Sequence, residues 1–164
     1  MTARKPVAVI AAEMGIGLVS PHITCDGAAA AIDFYKAAFG AEEMMRLPGP
    51  DGRLLHAAIR INGSMIMMND LYQEMNGHSP KSLGGSPVTI HLMVDDADAA
   101  AARAVKAGAK VVMPVEDQFW GDRYGVVEDP FGHLWSIAAP VWPPKSPEEM
   151  QAAASAAMAQ MPQT

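Results

Sequence analysis

The chain has 164 residues, half of them apolar and 18% charged, with a net charge of −6 and a pI near 5.2. That length supports a domain with a real core, and that composition excludes a disordered chain. The acidic balance speaks against a nucleic-acid partner, which would want a basic stripe. A single cysteine, Cys25, rules out an intrachain disulfide and makes a reducing compartment the default.

Residues 1–17 read as an N-terminal extension. Their apolar run Val7–Ala12 is short and is soon interrupted by Glu13, a poor signal peptide. No stretch approaches the roughly 20 apolar residues of a membrane span, so a soluble cytoplasmic protein with no membrane partner is expected. Val19–Thr24 reads as a strand with Ser20, His22 and Thr24 on one face. Asp26 is the expected N-cap of a helix Ala28–Phe39, whose apolar stripe is Ile32, Tyr35 and Phe39. Gly40 stands where a left-handed C-cap is wanted. Glu43–Leu47 reads as a strand, Pro48–Gly52 as a turn, and Leu54–Ile61 and Ser64–Met68 as strands joined at Asn62-Gly63, a favoured hairpin pair. This first module, 18–70, is therefore β-α-β-β-β.

Residues 71–86, rich in Gly, Ser, Asn and Pro, read as a linker. The second module, 87–139, repeats the order: strand Val88–Val94, a helix Ala97–Ala107 capped by Asp95 or Asp96 and ended by Gly108, then strands Lys110–Pro114, Gly121–Glu128 and His133–Ala138. In the tail, 140–164, Ser146-Pro147-Glu148-Glu149 is a capping box with proline at the first helical position. Met150, Ala154, Met158 and Met161 make a stripe along that helix, suited to docking on its own domain or on a partner subunit. Trp135 and Trp142 read as core and tail packing.

The two modules are copies. His91 lies 69 residues after His22, each opening a strand that ends near aspartate, and Gly132 lies 69 residues after Gly63. The helix-end glycines, Gly40 and Gly108, are offset by 68. Two copies of one unit imply a pseudo-twofold packing with a ligand cleft between them.

The duplicated β-α-β-β-β pattern resembles the vicinal oxygen chelate superfamily, which includes glyoxalase I, extradiol dioxygenases and the bleomycin and fosfomycin resistance proteins. Ala31-Ile32-Asp33-Phe34-Tyr35 with Phe39-Gly40 resembles its first helix. Asp129-Pro130-Phe131-Gly132-His133 resembles its turn before the last strand, and Trp120-Gly121 resembles its approach to the third strand of the second module. Asp117–Gly125 is similar to the PhnB-like branch. The resemblance implies an α+β fold, two βαβββ modules making an open cupped mixed sheet, plus the C-terminal helix, and a homodimer. It also places the superfamily's metal positions at Ser20 and Thr89 on the first strands and at Met67 and Ser136 on the last strands. None of these four side chains is a good divalent-metal ligand, since such sites want imidazole, carboxylate or thiolate.

The residues expected to line the site are His22, His56 and His91, with Trp120 as a flat apolar wall, Arg123 as a clamp for a carboxylate or phosphate, and Asp122 to hold Arg123 or accept a proton. Two functions of different class are open. One is a metal-independent protein of the bleomycin-resistance type, binding a small anionic or aromatic molecule without a cofactor. The other is a metal-dependent lyase, isomerase or dioxygenase in which His22, His91 and His56, with Asp70 or Asp122, rebuild a divalent site. Met65, Met67, Met68 and Met93 would add flexible thioethers to the cleft.

Overall fold

In a computed structural model the described residues are 5–141, 143 and 145–159; Trp142 and Met161, expected in tail packing, lie outside them. The chain divides into two compact units, Met1–Ser86 with Pro130–Gly132, and Pro87–Asp129 with His133–Thr164. The fold is α+β, and each unit holds its own four-stranded mixed sheet.

The first unit begins with α1 (Val7–Met14), closed by the left-handed Gly15. Then come β1 (His22–Cys25), α2 (Ala28–Phe39), β2 (Glu42–Pro48), β3 (Leu54–Ile61) and β4 (Ser64–Asp70). The sheet order is β1-β4-β3-β2, with β1 parallel to β4 and the other pairs antiparallel. The Asn62-Gly63 turn has φ of 45° and 80°, the positive pair that a two-residue hairpin needs to follow the strand twist. Against α2 the sheet sets Cys25, Ala57, Ile59, Ile66 and Met68, and the helix answers with Ile32, Phe34, Tyr35 and Phe39, all buried.

Two expectations need correction here. β1 starts at His22, not Val19, which is 92% exposed. Asp26 does not cap α2. The N-cap is Gly27, and it has no side-chain cap bond. The buried Asp70 carboxylate reaches across from the end of β4 instead, accepting from the amides of Gly27 (3.1 Å) and Ala28 (2.7 Å) and from Leu54 N (2.6 Å). Residues 71–86 carry a 3-10 turn, Gln73–Met75, and a short helix α3 (Pro80–Leu83).

The second unit repeats the plan: β5 (Thr89–Met93), α4 (Ala97–Ala107), β6 (Lys110–Asp117), β7 (Asp122–Glu128) and β8 (Leu134–Pro140), in the order β5-β8-β7-β6. β6 runs three residues further than the proline at 114 suggested. It is irregular between Met113 and Glu116, and an edge strand with a bulge tolerates proline. Beside that bulge, a Cβ on Gly125 would come 2.7 Å from Val115 Cγ2, so β7 needs glycine there. Asp96 is the N-cap of α4, accepting from Ala99 N at 2.9 Å. The helix buries only alanines, Ala97, Ala100, Ala101 and Ala104, while the sheet supplies the bulk through Val127, Trp135 and Ile137.

α5 (Pro147–Ala159) forms with its capping box in place, Ser146 N donating to Glu149 and Glu149 N donating to Ser146 Oγ. The expected docking of its methionine stripe on its own domain is not seen. The described part of the helix buries no residue, and Met158 is exposed.

Candidate functional site

Strand pairing decides which side chains share a face, because register partners on neighbouring strands point the same way. In the first unit His22 pairs Met67, Met67 pairs Ala58, and Ala58 pairs Met45. His56, two residues before Ala58, points with them, as do Thr24, Met65 and Asn69. This is the face opposite α2. Across it the His22 and His56 rings meet edge to face with centroids 5.6 Å apart. Met68 is on the other face and belongs to the core. So does Asp70, whose two carboxylate oxygens are spent on three backbone amides.

In the second unit the face opposite α4 carries His91, Ser136, Tyr124 and Asp122. His91 pairs Ser136 in register, and its Nδ1 lies 2.8 Å from Ser136 Oγ. The His91 ring stacks with Tyr124 at 6.3 Å, Tyr124 meets Trp120 edge to face at 5.3 Å, and Trp120 meets Phe119 the same way at 5.0 Å. Trp120 is held by a bond from its Nε1 to Asp122 Oδ2 at 2.9 Å. A tight turn sets this up: Gly121 N donates to Gln118 O, and Gln118 N donates to Asp122 O.

Arg123 is not part of this group. Alternation along β7 sends it to the α4 side, where its guanidinium donates to both oxygens of Asp98 and, at 3.0 Å, to Asp117. Asp98 first, then Asp117, hold the Arg123 pKa above its ordinary value, and Arg123 holds the Asp98 carboxyl below its own. The expected pairing of Asp122 with Arg123 is thus replaced. Asp122 holds Trp120, and Asp98 and Asp117 hold Arg123. Tyr124 and Phe119, which the sequence reading does not single out, share this cluster of rings. Period two counted from Asp122 would have found Tyr124 and would have separated Arg123.

Residues 16–137 match the sequence model of the Glyoxalase/Bleomycin resistance protein/Dioxygenase superfamily. The chain belongs to that superfamily. It is 60% identical over 126 residues to an uncharacterised protein of Mycobacterium tuberculosis (strain H37Rv), covering 75% of this chain and 74% of the relative. Among solved structures it is similar to a gene product from Arabidopsis thaliana, with a TM-score of 0.61 and 33% identity over 74% of this chain and 98% of that one. It is also similar to TioX from Micromonospora sp. ML1, with a TM-score of 0.60 and 25% identity over 76% and 99%.

The divalent metal that glyoxalase-like enzymes of this superfamily carry does not fit the residues present. At the corresponding positions stand a half-buried thioether, Met67, and a hydroxyl already engaged by His91, Ser136. Asp70 is committed to amides and Asp122 to Trp120. Among the described residues no three His, Cys, Asp or Glu side chains come together as a ligand set. Nor is any described helix long and apolar enough to cross a membrane.

Proposed function

We propose that this glyoxalase/bleomycin-resistance-like protein binds a small, flat aromatic molecule on the face of its second sheet opposite α4, with no divalent metal at the superfamily's positions. The observation that carries this reading is the unbroken run of rings Phe119, Trp120, Tyr124 and His91. None of the four is fully buried, so the rings offer a wall instead of filling a core. Edge-to-face neighbours fix the ring planes in advance, which lowers the ordering cost of a stacked ligand. His91 and Asp122 supply polar groups beside the wall, His91 at one end and Asp122 at Trp120. The anionic character expected of the ligand does not rest on Arg123, which is already neutralised by two carboxylates. Within the superfamily we place the chain in the PhnB-like branch, on the Asp117–Gly125 stretch, as a cytoplasmic homodimer.

The test is a tryptophan-fluorescence and calorimetric titration with bleomycin and with fused-ring aromatic carboxylates. Trp120→Ala and Tyr124→Ala should each weaken binding about tenfold or more, roughly 1.4 kcal/mol. Asp122→Asn, which loosens the indole, should weaken it less. Full affinity in both alanine variants would sink the reading.

A further inference from the structure

The first unit's face opposite α2 has a chemistry that the aromatic-ligand reading does not use. We propose that His22, His56 and Met67 bind one soft monovalent metal ion, Cu(I), through two imidazoles and a thioether. Register places Met67 directly beside His22 on the neighbouring strand, and on the same face as His56 across Ala58. The two imidazole centroids are 5.6 Å apart, a separation from which both rings can turn a nitrogen to one ion. No hydrogen bond engages either ring among the described residues, so neither must give up a partner to bind.

The donor set decides the metal. The hard oxygen donors beside these three side chains are already engaged, and Glu42, the register partner of Arg60, stands on the same face two residues beyond Ala58 along the strand. Asp70 points to the other side and is filled by three amides, and Asn69 is taken up by Thr24 and by the Asp70 carbonyl. What remains beside the three is imidazole and thioether. Met45, the register partner of Ala58, and Met65, two residues before Met67, put two more thioethers on the same surface. Thioethers select Cu(I) over Zn(II), Mn(II) or Mg(II), because soft sulfur binds a polarisable ion and pays poorly for a hard one.

The experiment is an anaerobic titration of the full chain with Cu(I) against the chromophoric chelator bicinchoninate, with Zn(II) titrated in parallel. One Cu(I) per chain is expected, held far more tightly than Zn(II). His22→Ala and His56→Ala should each weaken Cu(I) at least tenfold, since loss of even an outer partner of a metal ligand costs about that much. Met67→Leu conserves volume and should leave the fold and its thermal unfolding intact. It should still weaken Cu(I) and remove sulfur from the X-ray absorption spectrum of the bound metal. Three results would overturn the proposal: a chain that retains no Cu(I) against the chelator, a His22→Ala/His56→Ala double variant that binds like the parent, or Zn(II) bound as tightly as Cu(I) with Met67→Leu silent.

Discussion

The two units share a backbone plan and differ in where they put bulk and polar stitches. Both sheets run in the same strand order, and the separation from His22 to its register partner Met67 equals that from His91 to Ser136. In the first unit the helix brings the large side chains, Ile32, Phe34, Tyr35 and Phe39, to a sheet of medium ones. In the second an all-alanine helix face meets a sheet that carries Trp135. A duplicated scaffold holds because total volume between helix and sheet is kept, whichever side supplies it. The carboxylates moved as well. Asp70 ties the entrance of α2 to the end of β4 in the first unit. In the second, α4 is capped by its own Asp96, and the buried Asp129 instead accepts from His133 N at 2.9 Å and Trp135 Nε1 at 3.0 Å.

The sharpest break of this comparison is Trp135→Ala. It removes the largest buried side chain of the second unit and one of the donors to Asp129, and it should cost about 4 kcal/mol in chemical denaturation. If α4 can move in to close the void, the cost will fall below about 2 kcal/mol and the volume argument fails. Next comes Asp70→Ala. It leaves three amides without their acceptor and should cost about 3 kcal/mol, with faster hydrogen exchange at Gly27, Ala28 and Leu54. Its counterpart in the other copy, Asp96→Ala, loses one exposed cap bond and should cost about 1 kcal/mol. Equal costs at Asp70 and Asp96 would mean the long-range stitch is worth no more than a local cap.

The fold was legible because its signals are local. Helical spacing, the Asn62-Gly63 turn and the glycines after each helix are read from neighbours in the chain, and the copy supplied a second witness. The capping of α2 was not legible, because its acceptor, Asp70, is more than forty residues away and nothing local to Asp26 reveals the competitor. The site divides in the same way. Trp120 and Asp122 are brought together by a turn inside one short motif. Arg123 was misplaced because adjacency in sequence is opposition in a strand: its neighbours in space, Asp98 and Asp117, come from α4 and β6. The meeting of His22 with His56 depends on the β1-β4-β3 order, which no local pattern states.

The smallest effects concern surface ion pairs, and here the two copies invert each other's stoichiometry. Glu43 is one carboxylate between two cations, Arg46 at 2.8 Å and Lys36 at 2.6 Å. Arg123 is one cation between two carboxylates, Asp98 and Asp117. Hydrogen bonds from Arg46 first, and then from Lys36, hold the Glu43 pKa at about 2, below its ordinary 4.5. A lowered carboxyl stabilises the fold above its unfolded pKa and loses that contribution as pH falls, here between 4.5 and about 2. Both clusters are solvent-exposed, so their contribution is small and should shrink further in salt. Side-chain NMR titration separates them. Arg46→Gln should bring Glu43 only part of the way back, because Lys36 remains. Arg123→Gln should return Asp98 most of the way to the ordinary carboxylate range, because among the described residues no second cation holds it and only a backbone hydrogen bond remains. A full return of Glu43 in Arg46→Gln would show that Lys36 adds nothing, and the inversion between the copies would reduce to a single pair in each.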